Sequence, residues 1–146
     1  MSEVECQLPE FNPEDTEIKE ILAKSRIIAV VGLSADPDKD SHQVAKYLQE
    51  QGYRIVPVNP RPGEILGQKC YASLKEIPFP VDIVDIFRKI AAIPAVVDDA
   101  IAIGAKVVWM QLGLAENQAA RKAMAAGLQV VMNKCLKIEH RRYFSR

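Results

Sequence analysis

Ile27-Ile28-Ala29-Val30-Val31, closed by Gly32, limits what this chain can fold into more than any other stretch. Five apolar residues in a row, without the alternation of a strand that has one wet face, read as a strand buried on both faces. Parallel sheets covered by helices are built from such strands. Gly32-Leu33-Ser34 and a short polar loop follow, and an amphipathic segment opens at about Ser41. That succession is a strand, a turn and a helix N-terminus, whose first N–H groups lack internal partners and carry the positive end of the helix dipole. A phosphate suits such a place. A strand-to-helix turn without ligand is the plain alternative, and the other segments decide between them.

The same alternation recurs along the chain. A helix from Asp15, with Asp15 as N-cap and Ile18, Ile21 and Leu22 as its apolar stripe, precedes the first strand, Ile27 to Val31. The helix after the phosphate-like turn runs from about Ser41 to Glu50 and stops at Gln51-Gly52; the second strand is Arg54 to Asn59, and at Pro57 either the amide position is unpaired or the strand is irregular. A surface crossing and a short helix near Ser73 to Ile77 lead to a third strand, Val81 to Phe87. Asp82 and Asp85 are read as sharing one face of that strand, a solvated or capped edge rather than a catalytic carboxylate pair. Helices over Pro94 to Ile103 and Glu116 to Ala126 bracket a fourth strand, Lys106 to Met110, and Gln129 to Met132 is the fifth.

Five strands separated by helical crossovers predict an α/β, Rossmann-like, doubly wound five-stranded parallel sheet with helices on both faces. The expected order is 3-2-1-4-5, with a ligand at the carboxyl ends of strands one and four. Residues 1–14 read as an N-terminal arm and 15–146 as one domain.

Lysine plus arginine and aspartate plus glutamate number 19 each, so no whole-molecule field points to nucleic acid or an anionic membrane, though a local basic patch is compatible with that balance. Cys6, Cys70 and Cys135 are odd in number and widely spaced, which argues against a disulfide framework or a zinc site and for a reducing cytoplasm. The apolar runs are strand-sized, short of the about 20 residues of a membrane span. The expectation is a soluble cytoplasmic protein without a nucleic-acid or membrane partner. A homo-oligomer and a partner enzyme both stay open.

The loop after the first strand reads Gly32-Leu33-Ser34-Ala35-Asp36-Pro37 where a dinucleotide fingerprint has three glycines. The second and third are missing, which disfavours ordinary NAD binding. Ser34 and Ser41 offer hydroxyl donors and Lys39 a mobile cation in their place. Asn59-Pro60-Arg61 ends the second strand where NAD-binding domains carry an acid for the ribose; an arginine there suits a phosphorylated ribose, and both NADP and coenzyme A qualify. Phe87 and Arg88 after the third strand, and Gln111 and Gly113 after the fourth, face the same expected crevice. Trp109 reads as strand packing, Cys135 as a buried inert thiol beside Lys134 and Lys137, and His140 as exposed. The chain has no nucleophile elbow, Walker lysine motif or clustered metal ligands, so binding without catalysis is expected.

Taken together, Val30 to Ser34 with Lys39 and Ser41, Gly52 to Pro60, Ile65 to Gly67, Val81 to Arg88, Trp109 to Gly113, and Cys135-Leu136 resemble the stand-alone CoA-binding-domain proteins. That fold is also the CoA-binding N-terminal domain of the succinyl-CoA synthetase α subunit. The resemblance covers about residues 20–143 and implies coenzyme A or an acyl-CoA as ligand. It implies Gly32, Leu33, Ser34 and Lys39 around the pyrophosphate and Asn59, Pro60 and Arg61 on the adenosine and 3′-phosphate side. The Phe87-Arg88 and Gln111 to Gly113 loops would close over the adenine. The synthetases complete their reaction with a phosphohistidine and further domains that are not found here. The role implied is therefore a carrier, sensor or regulator; the alternative is an NADP-dependent oxidoreductase or a CoA-dependent transferase.

Overall fold

The expected strands form because their apolar runs find cover on both faces. A computed structural model describes residues 7–61 and 63–144; Cys6, the start of the arm, Pro62 and the last two residues lie outside that range. The five strands of the main sheet are β1 (Ile27–Val31), β2 (Arg54–Val58), β5 (Ile83–Ile86), β6 (Val107–Met110) and β7 (Gln129–Val131). A two-stranded hairpin, β3 (Glu64–Ile65) and β4 (Gln68–Lys69), fills part of the surface crossing after β2. All pairings in the main sheet are parallel.

Helices α1 (Asp15–Lys24), α2 (Asp40–Glu50) and α5 (Leu136–Phe144) cover one face of the sheet, and α3 (Ile93–Ala102) and α4 (Asn117–Ala125) the other. The alternation of side chains assigns the strand residues. Ile28, Val30, Ile83 and Trp109 pack under the first group, while Ala29, Val31, Val84, Val108 and Met110 pack under the second. Trp109 is fully buried, as its strand-packing reading predicts, and its indole N–H donates to the Lys134 carbonyl at 2.8 Å.

The α/β fold class stands, but the strand order differs from the one expected. The sheet runs β2-β1-β5-β6-β7, which is 2-1-3-4-5 when only its own five strands are counted. The chain crosses back over β1 after β2, so the third strand lies at the centre instead of the edge. The winding direction therefore reverses between β1 and β5, and the crevice belongs there rather than between strands one and four. Right-handed crossovers satisfy either order, so the sequence rule could not choose between them.

Asp85 is why the third strand looked like an edge. Asp82 and Asp85 are three residues apart and so do not share a face. Asp82, just before β5, accepts the N–H groups of Arg26 and Ile27 at 2.9 Å each and pairs with Lys106 at 3.5 Å. Asp85 instead lies within a strand buried at all four positions.

Other local differences have simple causes. Glu14 caps α1 through a capping box with Glu17, which makes Asp15 the first helical residue. Pro57 sits on edge strand β2, where its carbonyl accepts the Tyr71 N–H at 3.0 Å and no ladder partner calls for its missing N–H. The described part of the arm is pinned: Asn12 exchanges two hydrogen bonds with the Met132 backbone, and Asn117 at the start of α4 binds Gln7, Leu8 and Glu10.

Candidate ligand-binding cleft

Gly32 fixes the geometry at the switch point. Its φ is +89°, and a Cβ there would fall 2.1 Å from the Phe87 carbonyl oxygen and 3.0 Å from Arg88 Cδ. The glycine therefore serves the close approach of the β1 and β5 chain ends, and it brings the Phe87-Arg88 loop against the loop that opens α2. Its N–H donates to the Val58 carbonyl at 2.9 Å, which ties in β2 as well.

The loop from Leu33 to Lys39 is held by its own hydroxyls. Ser41 Oγ accepts the Ser34 N–H at 3.0 Å, and Ser34 Oγ accepts the Asp36 N–H at 3.0 Å. Each oxygen accepts one backbone N–H, and each hydroxyl can still donate its proton to an anionic ligand. His42 Nδ1 donates to the Ser34 carbonyl at 2.9 Å. Helix α2 begins at Asp40 with Lys39 as its N-cap residue and no side-chain cap, so its first N–H groups stay turned toward the loop.

A cleft of about 930 Å³ opens above this loop and extends across the ends of β5 and β6 to the start of α5. Of the residues singled out from sequence, it brings together Gly32, Ser34, Lys39, Ser41, Phe87, Arg88 and Gln111. Five cations line it, Lys39, Arg88, Lys89, Lys137 and Arg141, against one carboxylate, Asp40. A chain of zero net charge thus carries a strongly positive hollow.

The remaining predicted residues fall outside the cleft wall. Leu33 is fully buried and its carbonyl accepts the Asn59 side-chain N–H at 2.8 Å, so Leu33 and Asn59 hold the two loops together. Pro60 borders a smaller hollow of about 220 Å³ that shares Arg88 with the main cleft. Arg61 is exposed and borders neither; its backbone N–H binds Asn59 Oδ1 at 2.9 Å. Gly113 lies between the lining residues Leu112 and Leu114 and donates its N–H to Asn133 Oδ1 at 2.7 Å, which serves the loop's shape.

Beneath the cleft floor, Gln111 Nε2 donates to Asp85 Oδ1 at 2.6 Å, and Asp85 Oδ2 has no hydrogen-bond partner. Burial pushes the Asp85 carboxyl up to about 8, so it is neutral below that pH, and the Gln111 bond opposes only part of the shift. A neutral acid can occupy a central strand where a carboxylate could not.

Helix α5 is the part of the site that sequence reasoning missed. It contributes Lys137, Ile138 and Arg141 to the cleft while Leu136, Glu139 and His140 are buried against α1 and α2. The spacing of Leu136, Glu139, His140 and Tyr143 was the available signal. His140, expected to be exposed, instead shares a 2.8 Å hydrogen bond with the Tyr47 hydroxyl, and burial lowers its pKa. Cys135, expected to be buried, is half-buried and lines the cleft.

Among the described residues there is no group of three or more metal-ligating side chains, and no helix is long and apolar enough to cross a membrane. Comparison with known proteins places the chain among relatives of the same architecture. It is 46% identical over 129 residues to the uncharacterized protein YneT of Bacillus subtilis, covering 88% of this chain and 96% of that one. The solved structure of a hypothetical protein from Pyrococcus horikoshii superposes with a TM-score of 0.88 at 43% identity, covering 98% and 99% of the two chains. A shorter match, 51% identical over 59 residues, joins 40% of this chain to 13% of the alpha subunit of ADP-forming acetate–CoA ligase II from Pyrococcus furiosus. The family model described as a CoA binding domain matches residues 26–141, and the chain belongs to that family.

Proposed function

We propose that this protein binds coenzyme A or a CoA thioester in the cleft at the carboxyl ends of β1, β5 and β6, as a carrier, sensor or regulator. The observation that carries this reading is the gathering of five cations and the N-terminus of α2 around one hollow in a chain whose charges otherwise cancel. CoA carries a pyrophosphate and a 3′-phosphate, and it needs cations and N–H donors at more than one point. The donors fit that demand. The pyrophosphate is assigned to Ser34, Lys39, Ser41 and the first N–H groups of α2, and Arg88, which lines both hollows, to the passage between them. Pro60 and Arg61, after β2, are assigned to the adenosine and its 3′-phosphate. Phe87, Gln111 and the loop at Gly113, which the resemblance would close over the adenine, follow β5 and β6 on the far side of β1 and are assigned instead to the side nearer the thiol.

Calorimetric titration with CoA, dephospho-CoA and NADP tests the reading. CoA is expected to bind most tightly, with dephospho-CoA weaker by about tenfold, the cost of losing one charge-assisted hydrogen-bonded contact. The CoA preference should shrink in Arg61→Ala. Absence of CoA binding at millimolar ligand overturns the proposal. NADP binding as tightly as CoA transfers the site to the oxidoreductase alternative. Equal affinities for CoA and dephospho-CoA remove the 3′-phosphate assignment.

A further inference from the structure

Resting on the CoA reading of the same cleft, we propose that the site is built for CoA carrying an acyl chain, with the chain lying on Leu112, Leu114 and Ile138 at the β6–α5 end. Few large apolar side chains of the described residues are exposed, and two of them, Leu112 at 64% and Ile138 at 53%, flank this one cleft. Apolar surface left open at the edge of a polar binding site marks a place where something apolar is received.

Neither side chain is exposed through looseness. Leu112 rides on a turn closed by the Leu114 N–H to the Gln111 carbonyl at 2.8 Å. That turn is fastened to the loop after β7 by Gly113 N–H to Asn133 Oδ1 and by Asn133 N–H to the Leu114 carbonyl at 2.9 Å. Asn133 accepts a left-handed φ of 58° to make this pair of bonds. Ile138 stands on the first turn of α5, whose neighbours Leu136, Glu139 and His140 are buried, so the helix has a fixed rotation that leaves Ile138 facing the cleft.

Three of the five cations and the α2 N-terminus lie toward the other end. Lys39 and the α2 N-terminus belong to β1, and Arg88 and Lys89 follow β5. The two cations of α5 lean toward α2: Lys137 Nζ lies 5.7 Å from the Tyr47 ring centroid, and the Arg141 charge acts on the Tyr47 hydroxyl. Leu112 follows β6, two strand spacings from β1, or roughly 10 Å across the sheet. Below it Gln111 rests on the neutral Asp85, so the floor at this end is uncharged near neutral pH. A polyanionic head with an apolar tail matches that division. Free CoA would reach this end with the polar amides of its pantetheine arm, whereas an acyl chain offers both side chains an apolar partner.

The test is calorimetric titration of the full chain with CoA, butyryl-CoA and octanoyl-CoA. Full burial tightens binding by about fourfold per methylene, and an open groove that covers each methylene by half gives about twofold, hence about sixteenfold between butyryl- and octanoyl-CoA. In the double variant Leu112→Ser, Ile138→Ser, that ratio is expected to fall to within about twofold of one, whereas Leu112→Met, Ile138→Leu should keep it. Equal affinities for CoA and both thioesters in the wild type overturn the acyl proposal and leave the CoA reading intact. So does a chain-length gain that survives the serine variants, since the chain would then lie elsewhere. Failure of all three ligands to bind overturns both.

Discussion

Replacing Asp85 by asparagine should change how stability depends on pH, and the sign follows from the structure. Asp85 is wholly buried in the central strand, with one oxygen on Gln111 Nε2 and the other without a partner, and burial pushes its carboxyl from 3.8 up to about 8. In the unfolded chain the same group ionises near its ordinary value. Between those two pH values the unfolded state has released a proton that the folded state retains, so stability is full below about pH 4 and is lost as pH rises toward 8. The slope for one proton is about 1.4 kcal/mol per pH unit, so between about pH 5 and about pH 7 the group costs the fold up to about 3 kcal/mol. The asparagine side chain keeps an oxygen for the Gln111 N–H and cannot ionise. Urea unfolding of both proteins at several pH values is the assay, because contributions common to the two chains cancel in the difference. The wild type is expected to lose stability relative to Asp85→Asn as pH rises. A difference that is flat over this range, or that grows in the wild type's favour, would refute the neutral buried acid.

Two further outcomes follow from the cleft. Gly32→Ala must relieve a 2.1 Å approach to the Phe87 carbonyl and hold φ at +89°, so it should destabilise by about 2–4 kcal/mol in chemical denaturation, and a loss under about 1 kcal/mol would contradict the packing of β1 against β5. Cys135 lines the cleft, so maleimide labelling read by peptide mass should slow severalfold at that residue when CoA is present, with Cys70, which lies outside the cleft, unaffected; equal protection of both thiols, or of neither, would count against the assigned site.

Much of the sheet was legible because burial on both faces leaves an unmistakable mark. Ile27 to Val31 and Val107 to Met110 read as strands directly from their apolar runs. The position of β5 was not legible: Asp82 and Asp85 look like a wet edge until Asp85 is seen to be fully buried and bonded to Gln111, a long-range pairing that no local pattern encodes. Helix α5 escaped for a related reason. Its sequence is basic and lacks a cap signal, and its buried side is made of Glu139, His140 and Tyr143 as much as of Leu136, so the helical spacing of those four does not read as an apolar stripe and the packing against α1 and α2 is what makes it plain.

The site was legible on the β1 side, where a strand, a glycine and hydroxyls around a helix start form a local pattern. It was less so elsewhere. Gln111 was found from its place after β6, but Leu112 and Leu114 beside it, and Lys89 beside Arg88, became lining residues only once the loops had their shapes. Asn59 drew attention as a ligand contact and proves to be the clasp between two loops, through the Leu33 carbonyl and the Arg61 N–H. Polar residues near a site serve structure and ligand alike, and only their hydrogen-bond partners separate the two.

The central claim is that the cleft between α2, the β5 and β6 loops and α5 receives CoA. Heteronuclear NMR on isotope-labelled protein, titrated with CoA, tests it most directly. CoA seated in this cleft is expected to give saturable shifts in the amides of Ser34, Lys39 to His42, Arg88, Gln111 and Cys135 to Ile138, with the α3–α4 face around Asp98 and Lys122 unmoved. Shifts centred on that opposite face, or none at millimolar CoA, would contradict it.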